Sequence, residues 1–289
     1  MTTIVELPSR TWDQQVADSG AAMAALERGD VLWFPQLRFE LTADEQALVG
    51  SPLGATAKNV SYDPARDQVR GVEADAAQLR VLHSMMSRFG RSANALLAAV
   101  LPHYAPRIRQ ARVSYRPTEI EGRVTSWRKD DTRLHVDSFP SSPTHGTRIL
   151  RVFSNVNPHG QRRVWRLGES FEGVARRFLP SLKRPWPGSA ALMQWLHITK
   201  ARRTEYDHYM LGLHDAMKAD LQYQRDVPQK VHEWPPGTTW ICYTDQVSHA
   251  ATRGQYAFEQ TYHLDVSAMG DPAQSPLKTL ERLLGRALV

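Results

Sequence analysis

Residues 126–158 have the sequence SWRKDDTRLHVDSFPSSPTHGTRILRVFSNVNP. This stretch predicts two β-strands, 134–139 and 148–156, with turn-forming residues between them. Similar short strands, separated by Pro, Gly and Asn, are predicted on both sides of it, at 107–117, 164–167, 230–234, 238–243, 248–252 and 256–265. Many short strands with turns at this spacing favour a sandwich or barrel over a doubly wound sheet.

These strands predict an α+β fold with a mainly β core, a double-stranded β-helix (jelly roll) with flanking helices. We expect a single domain, 1–289. Within it we expect a mostly helical N-terminal part with one strand at 31–37, a jelly-roll catalytic core and a C-terminal helix, at residues 1–105, 106–270 and 271–289. One further helix, 204–224, interrupts the core and presents an apolar stripe at helical spacing.

Composition excludes several classes of protein. The single cysteine, Cys242, rules out an internal disulfide framework and a multi-cysteine zinc or iron–sulfur site. The longest apolar run, 95–101, is too short to span a bilayer, and the N-terminus lacks the apolar region of a signal peptide, so we expect a cytoplasmic protein. The net charge of +6 leaves nucleic acid, an anionic membrane surface or an anionic small substrate as partners.

The sequence His135-Val136-Asp137 indicates a metal site. Alternate residues of a strand point to the same face, so His135 and Asp137 can reach one metal ion. A second histidine from a neighbouring strand would complete a 2-His-1-carboxylate triad, the ligand set of non-heme iron(II) oxygenases, which leaves coordination positions open. His249 is the best distal ligand, because it follows an apolar strand and lies among small residues.

Two alternatives compete with parts of this triad. His263-Leu264-Asp265 has the same spacing, but no histidine follows it, so it cannot begin a triad in this order. His232, in a predicted strand next to Trp234, competes with His249 for the distal position. If His135 and Asp137 bind no metal, they are an ordinary surface pair.

Iron(II) oxygenases of this type commonly use 2-oxoglutarate, whose distal carboxylate requires a cation. Arginine is suited to this because its planar guanidinium binds a carboxylate with two hydrogen bonds. Predicted strands around the triad offer four cosubstrate-binding residues: Arg116, Arg151, Arg163 and Trp165.

Basic residues also form two clusters near the predicted core. The first comes just before the metal motif and offers candidates for binding an anionic substrate: Arg123, Arg128, Lys129 and Arg133. The second consists of Lys200, Arg202 and Arg203. The C-terminal helix has leucines along one side, which predicts docking on its own domain or, alternatively, contact with a membrane surface.

The block 126–158, together with DQVSHAATRGQYAFEQTYHLDV at 245–266, resembles the Kdo hydroxylases across 112–265. Kdo is 3-deoxy-manno-octulosonic acid, an acidic sugar of the lipopolysaccharide inner core. The resemblance implies an iron(II)- and 2-oxoglutarate-dependent dioxygenase that hydroxylates carbon 3 of Kdo on a lipid A-linked acceptor, giving Ko, succinate and CO2. It places the metal ligands at His135, Asp137 and His249.

The resemblance also implies a role in lipopolysaccharide biosynthesis, an anionic lipid-linked sugar as partner, and peripheral contact with the inner face of the inner membrane. Two other functions remain open from the residues alone. The chain could be a 2-oxoglutarate oxygenase of a protein or small metabolite, or a non-catalytic jelly-roll module that binds anionic glycolipid. Nucleic acid is not expected, because the aromatic residues do not interleave with the basic ones as a stacking platform requires.

Overall fold

A computed structural model of the chain describes residues 1–49 and 59–289. The helices in this part are α1 Ser19–Glu27, α2 Ala43–Val49, α3 Ala76–Val100, α4 Phe171–Phe178, α5 Ser189–Trp195, α6 Glu205–Ala219, α7 Leu221–Asp226 and α8 Pro276–Leu284. The strands are β1 Ile4–Glu6, β2 Val31–Phe34, β3 Val60–Asp63, β4 Gln68–Arg70, β5 Arg109–Arg116, β6 Arg148–Asn155, β7 Arg163–Leu167, β8 Lys230–Trp234, β9 Thr239–Tyr243, β10 His249–Arg253 and β11 Ala257–Leu264.

Within the described ranges these strands form a large and a small sheet. The large sheet has eight strands in the order β1-β2-β9-β6-β11-β5-β3-β4, and the small sheet has three in the order β10-β7-β8. Strand β11 pairs antiparallel with both β6 and β5 near the middle of the large sheet. The mixed α+β class that the sequence predicts is therefore confirmed.

Alternation along strand β6 explains how one strand serves two surroundings. Leu150 and Val152 belong to the main apolar core. Phe153 lies on the opposite face in a second, aromatic core, and Arg151 shares that face because it is two residues away. The inner face of the large sheet thus carries both aromatic and charged side chains.

Aromatic rings join the two sheets face to face. Phe153 and Trp240 of the large sheet contact Trp165 of the small sheet at ring-centroid distances of 5.0 and 5.5 Å. Trp234 of the small sheet stacks on Trp240 at 4.6 Å. These buried rings hold the sheets in a fixed relation, and the site described below lies beside them.

Helix α3 covers the other face of the large sheet. Its N-terminus is fixed by a capping box between Asp75 and Gln78. Its buried side includes Phe89, which stacks on Phe258 of β11 at 4.8 Å. The central strand β11 therefore packs against helix α3 on one face, and its other face lines the cavities described below.

The described N-terminal part contains more strands than the single one predicted at 31–37. It supplies β1 to β4, and these extend both edges of the large sheet. Strand β1 pairs parallel with β2, and β3 pairs with β5 of the predicted core. Strands of three or four residues are too short to show a period of two, so pairing with distant strands decides their structure.

Three other predicted elements also have different bounds. The predicted strand 134–139 forms only an isolated bridge, between His135 and His249. The predicted helix 204–224 is two helices, α6 and α7, because Asp220 ends the first and caps the second. The C-terminal helix is shorter than 271–289.

Helix α8 is docked on its own domain. Leu277 and Leu280 are buried, and Gly285 ends the helix in the left-handed conformation. Its apolar side is therefore covered and does not face outward toward a membrane. None of the helices in the described ranges combines the length and apolar character that crossing a bilayer requires.

Candidate metal and cosubstrate site

His135 and His249 are held side by side by their own backbones. The N–H of His135 donates to the carbonyl of His249 at 3.0 Å, and the N–H of His249 donates back at 2.9 Å. The imidazole centroids are 4.7 Å apart. His249 begins β10, so this bridge attaches the 134–139 segment to the edge of the small sheet.

Both imidazoles have a fixed tautomer. Nδ1 of His135 is 2.8 Å from the carbonyl oxygen of Arg133, and Nδ1 of His249 is 2.8 Å from that of Val247. A carbonyl oxygen only accepts hydrogen bonds, so each Nδ1 carries the proton and each Nε2 keeps its lone pair. This is the arrangement in which histidine binds a metal through Nε2.

Asp137 completes the cluster. Its backbone N–H donates to the carbonyl of Thr244 at 2.8 Å, which attaches it to the end of β9. Its Oδ1 is 3.6 Å from Nε2 of His135, and ligand atoms of His135, Asp137 and His249 all lie within 4.8 Å of one another. Two imidazoles and one carboxylate at this spacing fit a non-heme iron(II) ion and leave coordination positions open for other ligands.

Protonation of the three side chains also suits a metal. Burial lowers the pKa of His135 to about 4 and lowers that of His249, so both imidazoles are neutral near pH 7. Burial acts to raise the pKa of Asp137, but the Arg151 guanidinium and the nearby His135 hold it well below its ordinary value. Neutral imidazoles and an ionised carboxylate are the forms that coordinate a cation.

The small cavity at the triad has a volume of about 60 Å³. It is lined by Arg116, Asp131, His135, Asp137, Arg151, Phe153, Arg163, Trp165, His249, Ala251 and Glu259. All four predicted cosubstrate residues therefore line the same small cavity as the triad. Trp165 stacks on the His249 ring at 5.1 Å and limits its rotation.

Glu259 is a charged residue of this site that the sequence reasoning missed. It accepts hydrogen bonds from Arg116 and, at 2.6 Å, from Nη1 of Arg151. The second terminal nitrogen of Arg151, Nη2, is 3.0 Å from the Asp137 carboxylate. The signal was present in β11, where Glu259, Thr261 and His263 alternate with Phe258 and Tyr262. Those polar positions share the face that lines the cavities.

Arg163 differs from its two arginine neighbours. It is 3% exposed, and among the described residues its side chain donates one long hydrogen bond, 3.4 Å, to the carbonyl of Gly254, while its Nε is buried without a described partner. Burial and the charge of Arg116 lower its pKa to about 9. A buried guanidinium with an unused N–H donor has the chemistry to bind a carboxylate.

Gly254 makes the position of Arg163 possible. Its φ is +116°, and a Cβ atom there would lie 2.8 Å from Cα of Arg163. Only glycine permits so close an approach of the two backbones.

A family model described as 3-deoxy-D-manno-oct-2-ulosonic acid (Kdo) hydroxylase matches residues 10–287. The chain belongs to the Kdo hydroxylase family. This confirms the resemblance that the two sequence blocks indicate. No curated protein sequence matches the chain.

Solved structures of another Kdo hydroxylase are similar over the whole chain. That protein, KdoO, is a non-heme Fe(II) alpha-ketoglutarate-dependent dioxygenase, and its crystal structure with alpha-ketoglutarate and Fe(III) is 46% identical in sequence. The match covers 100% of this chain and 98% of KdoO, with a TM-score of 0.96. Structures of KdoO with succinate and Fe(III) and with cobalt(II) match at the same identity, with TM-scores of 0.96 and 0.97.

In this Kdo hydroxylase family member a second, wider cavity adjoins the small cavity. Its volume is about 690 Å³, and it shares Arg116, Arg151 and Glu259 with the small cavity. Its other polar and charged lining residues include Arg109, Arg112, Ser114, Thr144, His145, Lys200, Thr261 and His263. Sequence reasoning noted basic residues in β5 and at Lys200 but did not place them together.

The basic cluster before the metal motif lies elsewhere. Arg128 pairs with Asp215 of α6 at 3.0 Å, and Arg133 pairs with Asp130 at 3.1 Å. Arg123 is 3.5 Å from Asp131, a residue of the small cavity. Neither these arginines nor Lys129 belongs to the lining of the wide cavity. Their predicted role in substrate binding remains a prediction.

The competing histidines occupy other positions. His232 packs between Trp33 and Trp234, with ring centroids 5.2 and 4.1 Å away. His263 lines the wide cavity. In the described part of the chain, the group of side chains placed to hold a metal is the predicted one.

Proposed function

We propose that this chain hydroxylates Kdo with iron(II), 2-oxoglutarate (alpha-ketoglutarate) and dioxygen. The observation that carries the proposal is the triad of two imidazoles with free Nε2 atoms and one carboxylate, in a chain of the Kdo hydroxylase family. The likeness to KdoO over its whole length supports the same cofactor and cosubstrate.

The residues of the small cavity fall into a group that binds iron and a group that binds 2-oxoglutarate. We assign iron binding to His135, Asp137 and His249, and binding of a 2-oxoglutarate carboxylate to Arg163, with Arg116, Arg151 and Trp165 shaping the pocket. When bound, iron(II) with dioxygen converts 2-oxoglutarate to succinate and CO2 and delivers one oxygen atom as the new hydroxyl group. The protein orients the sugar C–H bond toward the metal side of the cavity and excludes competing donors.

We assign the sugar to the wide cavity. Its lining carries five cations, Arg109, Arg112, Arg116, Arg151 and Lys200, and a single acid, Glu259. A surplus of positive charge suits the Kdo carboxylate and neighbouring phosphates. The proposed attack at carbon 3, which gives Ko, requires that carbon to lie at the junction of the two cavities.

The proposal also includes the type of fold, the lipid A-linked acceptor and the location of the enzyme. The facing sheets and their aromatic core support a double-stranded β-helix as the single catalytic domain. The cationic cavity supports a Kdo acceptor linked to lipid A. A lipid-linked acceptor would bring the protein to the inner face of the inner membrane as a peripheral enzyme of lipopolysaccharide biosynthesis.

The test is an anaerobic titration with iron(II) and 2-oxoglutarate, followed by visible metal-to-ligand charge-transfer absorption. We expect the band in the wild type and in a control, His159→Ala, whose side chain is exposed. We expect no band in His135→Ala, with an unchanged circular dichroism spectrum. Succinate release on adding Kdo-lipid A then tests the substrate.

The outcomes separate the alternatives. No band in any of the three proteins would contradict the oxygenase assignment and favour a non-catalytic glycolipid-binding module. A band in the wild type without succinate release on Kdo-lipid A would direct the search to another substrate.

A further inference from the structure

Exposed apolar side chains concentrate in one short region of the surface. Of the eleven large apolar side chains exposed in the described part of the chain, five lie between positions 186 and 198: Trp186, Leu192, Trp195, Leu196 and Ile198. The two tryptophans are 80% and 75% exposed. A cluster of this kind marks an interaction surface, whereas scattered single residues do not.

The charged residues within this part of the sequence have one sign. Residues 182–203, which we call the tryptophan segment, contain Lys183, Arg184, Lys200, Arg202 and Arg203 and no Asp or Glu. Except for Arg203, these basic residues are exposed. Tryptophan and leucine between lysine and arginine are typical of segments that lie in the interface of an anionic membrane.

The segment is attached to the rim of the wide cavity. The N–H of Lys200 donates to the carbonyl of Ser141 at 2.9 Å, and Nε2 of His145 is 2.8 Å from the carbonyl of Arg202. Lys200 and His145 both line that cavity. A partner bound to the tryptophan segment therefore lies next to the proposed entrance for the sugar.

We propose that the tryptophan segment docks this protein on an anionic lipid bilayer, with Trp186 and Trp195 at the level of the headgroups. The proposal rests on the proposed function for its purpose, because a lipid-linked sugar would pass from that bilayer into the adjoining cavity. Charge favours a bilayer over a second copy of the chain. A symmetric dimer would place the same basic surface opposite itself, and like charges would repel.

The test measures co-sedimentation of the full chain with vesicles of phosphatidylglycerol and phosphatidylethanolamine, and with vesicles of phosphatidylcholine alone. We expect binding to the anionic vesicles, a blue shift of tryptophan emission, and weaker binding at high salt. The variant Trp186→Ser with Trp195→Ser should lose about tenfold or more in partition. The control, Val124→Ser with Val231→Ser, removes two apolar side chains that are 97% and 60% exposed elsewhere and should bind as the wild type does.

A charge variant tests the second half of the argument. Lys183→Gln with Arg184→Gln should reduce the preference for anionic over neutral vesicles while leaving the fold unchanged, because both side chains are exposed. Wild type that ignores anionic vesicles, or a tryptophan variant that binds them equally well, would overturn the proposal. A dimer that the tryptophan variant dissociates, without vesicle binding, would replace the bilayer with a second copy.

Turnover connects the surface to the reaction. We expect the tryptophan variant to be slower on Kdo-lipid A embedded in vesicles and unchanged on a deacylated, water-dispersed Kdo acceptor. An equal loss on both acceptors would contradict a docking role. Vesicle binding is measured without turnover. It therefore tests the docking proposal even if the chain does not hydroxylate Kdo.

Discussion

The two adjoining cavities balance their charges in different ways. In the small cavity Arg116 and Arg151 both pair with the buried Glu259, and Arg151 also pairs with Asp137. In the wide cavity Arg109 and Arg112 are exposed. The first arrangement fixes side-chain positions and does not tolerate the loss of a partner. The second keeps a surplus of positive charge in contact with water, where single changes cost little stability but weaken the attraction of an anion.

The largest effect should follow from breaking the buried balance. Glu259→Ala leaves Arg116 and Arg151 without their shared carboxylate, and we expect a loss of about 3–5 kcal/mol in the free energy of unfolding, measured with urea. Glu233→Ala is the matched control, because its pairs with Arg162 and Arg253 are exposed and should contribute less than about 1 kcal/mol. Equal losses in the two variants would contradict a larger contribution of the buried charge balance to stability than of exposed ion pairs.

Acid should act on the small cavity through its histidines. Burial lowers the pKa of His135 to about 4 and also lowers the pKa of His249, whereas histidine in an unfolded chain titrates at about 6.5. The unfolded state therefore binds more protons, and the stability of the metal-free chain falls as the pH drops from 7.5 to 5, by about 2 kcal/mol for His135 and further in the same direction for His249. His135→Gln should remove its part of this dependence, and the same substitution at the exposed His159 is the control. A denaturation midpoint constant over this range would contradict the assignment.

The binding of 2-oxoglutarate by the buried Arg163 can be tested against its exposed neighbour, Arg162. Arg163→Met should raise the KM for 2-oxoglutarate about tenfold to a hundredfold, since a hydrogen-bonded charge pair is lost. The charge-transfer titration should need correspondingly more cosubstrate. The neighbouring Arg162 is exposed and pairs with Glu233, so Arg162→Met should change neither value. An unchanged KM in Arg163→Met would move carboxylate binding to another arginine.

The smallest effects should come from the wide cavity. Arg109→Gln with Arg112→Gln should raise the KM for Kdo-lipid A roughly tenfold and weaken its salt dependence, with stability and the KM for 2-oxoglutarate unchanged. The double variant Arg128→Gln with Lys129→Gln tests the cluster that the sequence favoured and should stay within about twofold, since Arg128 already pairs with Asp215. The reverse ranking would restore the cluster before the metal motif as the substrate site.

Sequence reasoning succeeded where the signal is local. His135 and Asp137 share a face because they are two residues apart, and the strands of the core alternate visibly. It failed for Glu259, whose importance depends on two arginines from strands β5 and β6. It also missed β1, β3 and β4, which are too short for a period to appear.

By itself, the sequence indicated the family, the α+β class, the candidate triad of His135, Asp137 and His249, and four of the residues that line the small cavity. Only the tertiary structure decided that Nδ1 of His135 and of His249 meets a backbone carbonyl, that Arg163 lacks a salt bridge among the described carboxylates, and that the tryptophan segment borders the wide cavity. The physical reason is the range of the interactions. Spacing along a strand sets which face a side chain takes, whereas burial, charge balance and exposure depend on residues that meet only when distant strands pair.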